Sequence, residues 1–208
     1  MSKLDKLKDL GERDFGLVIH FKDESLFMKL LGKILFFNPR FMTNYTTTIG
    51  SAVYFPSRAW LSQNQDSAAH VLAHELVHIG DAKEVGSFIF SYTYLFPQVI
   101  SLLALLSLFF TKWWLLCLLF LFPIPAPFRA YWELRGYAIT DATYYKSLGQ
   151  FTDIDWLASQ FVSSSYFFMW PFKNDIVCRL EKNRYFIKRG ELSEQISFAE
   201  KIIKCFEA

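Results

Sequence analysis

The sequence predicts an α+β fold: a small mixed sheet, then a long helix, then an apolar helical hairpin and a helical C-terminal part. Three observations carry this. Phe15 to Phe21 (FGLVIHF) and Thr46 to Phe55 (TTTIGSAVYF) are rich in β-branched and aromatic residues, as strands are. The 25 residues from Ser87 to Thr111 contain no charge. Most of the remaining chain repeats apolar residues at helical spacing.

Phe15 to Phe21 reads as a buried strand, and Asp23 then caps a helix whose apolar positions are Leu26, Phe27, Leu30, Leu31, Ile34 and Leu35. Within Thr46 to Phe55, Gly50-Ser51 supplies a tight turn or a bulge, giving a short hairpin or one bent strand that Pro56 ends. After a polar loop, Ser62 to Gln65, Asp66 and Ser67 offer N-cap side chains to a helix over Ala68 to Ile79, and Gly80 is its stop. Ser87 to Thr111 exceeds the roughly 20 residues a helix needs to cross a bilayer, with Pro97 as a kink. Its first part, SFIFSYTYLF, carries Ser, Thr and Tyr and suits an interface or a cleft wall. Lys112 marks the turn, and Trp113 to Phe128 forms a shorter second arm with an irregular exit at Pro123, Pro125 and Pro127. Helices follow over Arg129 to Leu148, Asp153 to Phe168, Asn174 to Ile187 and Leu192 to Phe206, the last two separated by Gly190. Tyr166, Phe167, Phe168 and Met169 with Trp170-Pro171-Phe172 form an aromatic cluster suited to core or membrane-interface packing. The chain thus divides into residues 1–86, 87–128 and 129–208.

Composition narrows the function classes. At 208 residues, a mean hydropathy of +0.19 with 52% hydrophobic residues is too apolar for an ordinary soluble domain and predicts membrane lipid as a partner. A net charge of +2 supplies no basic field for nucleic acid. The charged start, Met1 to Glu12, is no cleavable signal peptide, and Cys117, Cys178 and Cys205 are too few and odd in number for a disulfide scaffold, which fits a reducing compartment.

The chemistry concentrates in His74-Glu75-Leu76-Val77-His78. Residues four apart share a helix face, so both imidazoles can reach one Zn²⁺, and Glu75 projects beside them to take a proton from a water that the cation has acidified. The competing reading is a hydrogen-bonded pair of core histidines. The chain has four histidines, His20, His70, His74 and His78, and none follows the motif, so a third ligand must be a carboxylate. Asp81 and Glu84 would have to bend back along the same helix. Glu133 is better placed, on a helical stripe with Tyr137 and Asp141 that can face His70, His74 and His78; its alternative role is an ion pair with Arg129. His70 reads as a packing or supporting residue.

The order of motif helix, apolar hairpin and Glu-bearing helix resembles the gluzincin metallopeptidases, and most the family of integral-membrane heat-shock proteases and CAAX-prenyl endopeptidases. The likeness covers about residues 40 to 145, with HELVH as its specific part. It implies a zincin-like sheet, His74, His78 and Glu133 as zinc ligands, Glu75 as general base, and a protein or peptide substrate laid along the edge strand within Thr46 to Phe55. Tyr137, one turn from Glu133, is the candidate donor to the oxyanion. If Glu133 joins the histidines, residues 84 and 129 emerge on one side of the membrane, and Lys83, Arg129 and Arg135 against Lys112 point to a cytoplasmic catalytic side. The expected function is a membrane-associated zinc endopeptidase. A non-enzymatic membrane protein retaining the same zinc-binding fold is the alternative.

Overall fold

A computed structural model of the chain describes residues 1–36, 38–163 and 168–207. Helix α1 (Lys3–Leu10) opens it, capped by Ser2, whose hydroxyl accepts from the Asp5 amide while the Asp5 carboxylate accepts from the Ser2 amide. One wider helical turn, Gly11–Phe15, continues α1 and ends at Gly16 in the left-handed conformation. Strand β1 (Val18–Phe21) is therefore shorter than the apolar run suggests, because Phe15 is spent on the helix and packs edge-on against Phe198. Helix α2 (Leu26–Ile34) is capped by Ser25 rather than Asp23, the Ser25 hydroxyl accepting from the Met28 amide. Strands β2 (Thr47–Ile49) and β3 (Ala52–Phe55) form a hairpin rather than one bent strand, turning at Gly50, whose φ is +61°. The sheet order is β1-β3-β2, with β1 parallel and β2 antiparallel to β3, so the mixed sheet leaves β2 at an edge.

Lys22, at the end of β1, is fully buried. Its ammonium donates to the Phe41 carbonyl at 2.7 Å and sits over the Phe41 ring, which ties the segment after α2 back to the sheet. Burial pushes its pKa down to about 8, Glu75 pulling weakly the other way.

After α3 (Arg58–Gln63), which takes up the first half of the expected loop, comes α4 (Gln65–Val85), the motif helix. Asn64 rather than Asp66 or Ser67 stands at its N-cap, and Asp66 lies in the first turn, favourable to the helix dipole. Gly80 does not stop it. The helix runs to Gly86, and Gly80 is there because a Cβ would lie 2.4 Å from the Phe198 ring. Helix α5 (Ser87–Leu95) follows, then a 90° bend at Pro97 into a tight three-residue-per-turn helix, Gln98–Leu108, and a second one, Lys112–Leu121, that packs against it. No single helix among the described residues is long and apolar enough to cross a membrane; α5 and Gln98–Leu108 qualify only as a bent pair.

Helix α6 (Pro127–Leu148) begins with proline in its first turn and packs along α4. Helix α7 (Ile154–Val162) carries the Asp153 cap but ends well before Phe168, since the chain turns back to bury Met169, whose carbonyl accepts from the Ala126 amide. Tyr166 and Phe167 lie outside the described residues. Helix α8 (Lys173–Arg189) stops at Gly190 as expected. Leu192 to Phe206 is not one helix: a short turn at Leu192–Glu194 precedes α9 (Ala199–Lys204), and the break lets Phe198 reach Gly80. One core joins α1, the sheet, α4, the end of α6 and the C-terminal turns; a second joins α6, α7 and α8.

Candidate metal centre

The mid-helix histidines of α4 point at α6, and the two helices approach closely because position 136 is glycine. A Cβ there would lie 2.6 Å from the His74 ring, closer than side-chain atoms tolerate. Glu133, one turn before Gly136, thereby reaches both imidazoles. His74 Nε2 and His78 Nε2 stand 3.1 Å apart; Glu133 Oε2 is 3.3 Å from His74 Nε2, and Oε1 is 3.7 Å from His78 Nε2. All three residues are buried.

These atoms can hold a metal ion. Donor atoms sharing one tetrahedral ion at about 2.0–2.2 Å stand about 3.3–3.6 Å from one another, a span the three separations bracket. Two ring nitrogens facing each other at 3.1 Å cannot both present lone pairs without a cation or a proton between them. Buried Glu133 Oε2 makes no hydrogen bond of good geometry, although it is aimed at the same point. Burial works to raise the Glu133 pKa, but the His74 contact and the charge of the two rings override it and hold the carboxylate at about 2. For His74, burial works downward and the Glu133 contact prevails, giving a net rise; His78 is depressed, chiefly by burial. The acid is thus ionised in a buried site, where an anion demands a positive partner.

The remaining candidates go elsewhere. Asp81 is gripped by the Arg135 guanidinium through contacts of 2.6 to 3.1 Å, Glu84 accepts from Ser197, and Asp141 pairs with Arg184 at 2.7 Å and accepts from the Thr152 amide. The stripe of α6 facing α4 accordingly runs through Glu133, Gly136, Tyr137, Thr140 and Thr143, and Asp141 leaves it. Arg129 does not pair with Glu133; it donates to the Tyr94 carbonyl at 3.0 Å. His70 lies outside the cluster, hydrogen-bonded to Thr143 at 2.8 Å and stacked on Tyr144. The Tyr137 and His74 rings meet edge to face with centroids 4.9 Å apart, and Tyr137 also packs on Phe161.

Three supporting residues escaped sequence reasoning. Tyr94, from α5 in the apolar stretch, donates to Glu133 Oε1 at 2.5 Å. Thr140 meets His74 Nδ1 at 3.3 Å while donating to the Gly136 carbonyl, a helix-internal contact. Thr48, on edge strand β2, donates to Glu75 Oε2 at 2.7 Å. The polar character of SFIFSYTYLF was the signal for Tyr94; Thr140, seven residues after Glu133, was legible as a same-face position; nothing marked Thr48. Beside the centre opens a cavity of about 300 Å³, walled by Tyr45, Trp60, Tyr137 and Trp156, with His74 and Glu75 also lining it.

Comparison with protein-family models, curated proteins and solved structures finds no match for this chain.

Proposed function

We propose that the chain is a membrane-associated zinc endopeptidase with a zincin-like arrangement of edge strand and motif helix. The convergence of His74, His78 and Glu133 beside an uncoordinated Glu75 carries the reading. Two imidazoles and one carboxylate, a set that leaves a tetrahedral position open, suit a hydrolytic zinc ion. Bound there, zinc polarises a carbonyl and acidifies water.

The chain's own residues do the rest. Thr140 fixes the orientation of His74, and Tyr94 fixes that of Glu133. Glu75, held by Thr48, takes a proton from the attacking water and returns it to the leaving amine. Tyr137 is the candidate donor to the developing oxyanion. The free edge of β2 offers backbone groups to an extended peptide, and the aromatic cavity receives one of its larger uncharged side chains. Exposed Leu102, Leu105, Leu108, Phe109, Phe110 and Trp113 support the hairpin as a part that meets lipid, and Lys83, Arg129 and Arg135 against Lys112 favour a cytoplasmic catalytic side.

Purified protein should carry one zinc per chain, and His74→Ala should lose it. Glu75→Gln should keep zinc yet fail to cleave an unfolded protein substrate in detergent. Zinc-loaded wild type without chelator-sensitive cleavage would leave only a non-enzymatic metal-binding membrane protein.

A further inference from the structure

The sequence leaves α2 amphipathic, and the structure mounts it the wrong way round for a soluble surface helix. At about 100° per residue, Leu26, Leu30, Ile34 and Phe27 fall on one arc of about 100°. They are 82%, 58%, 60% and 56% exposed, and Phe36 just beyond is 81% exposed. The opposite edge is the one that is anchored: Met28 is buried, and Gly32 fits against Met42, whose Sδ would lie 2.9 Å from a Cβ there. Lys22, bonded to the Phe41 carbonyl, fixes the same segment from below.

Lys29 and Lys33 rim this face on one side. Both are exposed, and among the described residues neither pairs with an acid. Together with Leu26, Leu30, Gly32 and Met42 they line a groove of about 550 Å³. Apolar walls below two free ammonium groups match one chemistry: an acyl chain beneath an anionic headgroup, the lysine stems covering the chain while their heads reach phosphate. A second copy of the chain fits poorly, since pairing this face with itself would bring four lysines to one apolar seam.

We propose that α2 is a second lipid-contacting element, separate from the apolar hairpin, that lies in the headgroup layer of a bilayer and seats an anionic phospholipid between Lys29, Lys33 and Met42. The inference stands on α2 alone and does not depend on the metal chemistry.

Full-length chain with Cys117, Cys178 and Cys205 replaced by alanine, spin-labelled at Leu30→Cys, tests it in nanodiscs of phosphatidylcholine with and without phosphatidylglycerol. The expected result is an oxygen-to-nickel accessibility ratio several-fold above that of a label at exposed Gln63→Cys, highest with phosphatidylglycerol. Lys29→Glu/Lys33→Glu should abolish the phosphatidylglycerol increment, and a Phe27→Cys label should behave like Leu30→Cys. A label as open to nickel as the Gln63 control in both lipids overturns the proposal, as does an increment that survives the double charge reversal. Dipolar broadening between labels on two chains overturns it in favour of self-association.

Discussion

Thr48 is where the sheet touches the chemistry. Its hydroxyl fixes one oxygen of Glu75, and a hydrogen bond to a charged group is worth about 1.5–3 kcal/mol. On the proposed reading, Thr48→Val should therefore cut kcat by roughly tenfold or more with zinc content unchanged, and Thr48→Ser should restore most of it. Tyr94→Phe leaves Glu133 Oε1 without its donor and should weaken zinc binding about 10- to 100-fold, measured by competition with a chelator. His70 gives a separate, pH-dependent effect. Burial, reinforced by Lys3, holds its pKa at about 4 against 6.5 in the unfolded chain. Between those values the unfolded state binds the extra proton, so stability rises with pH there and is lost as pH falls from 6.5 toward 4. About 2 kcal/mol is at stake, less than the full shift because the ring is incompletely shielded. In metal-free protein, His70→Phe should show a correspondingly flatter stability profile than wild type over that window. The pair of motif histidines was readable because their geometry is internal to one helix. Thr48 and Tyr94 were not, because their partners lie 27 and 39 residues away and only the folded chain brings them together.

Between elements, the decisive relation is the close approach of α4 and α6. Glu133 was legible as a position on a helix face, but Gly136 was not legible as the residue that lets that face arrive. Gly136→Ala places a methyl where the His74 ring sits, so it should cost about 1–3 kcal/mol of stability and lower zinc affinity, checked by thermal unfolding with and without zinc. Gly80 illustrates the same blindness from the other side. Sequence alone reads a glycine after a helical run as a terminus, whereas packing uses it to admit Phe198, a residue more than a hundred positions later. The β2–β3 strands, by contrast, were legible with their break at Gly50-Ser51, though the choice between a hairpin and one bent strand came only with the fold.

At the scale of the molecule, the parts that carry the candidate metal centre and the hairpin are distinct in character: the first share continuous cores, the second presents its leucines and phenylalanines outward. Gln98–Leu108, at a rise of about 2.0 Å per residue, reaches about 22 Å, short of the roughly 30 Å hydrocarbon layer. On the membrane reading, the hairpin therefore dips in and returns, which keeps Glu133 on the side of His74 and His78. A cysteine at Lys112 should then resist membrane-impermeant maleimide applied to either face of sealed vesicles, whereas a crossing hairpin would expose it on the far side.

On the proposed reading, the third ligand is separated in sequence from the first two by that apolar hairpin. On that reading both imidazoles would leave the ribosome before the acid that completes their grip, and Tyr94, on the intervening segment, is what donates to that acid in the folded chain. Assembly of the site would then be coupled to placement of the intervening segment: a chain whose hairpin has not docked stays a blunt blade.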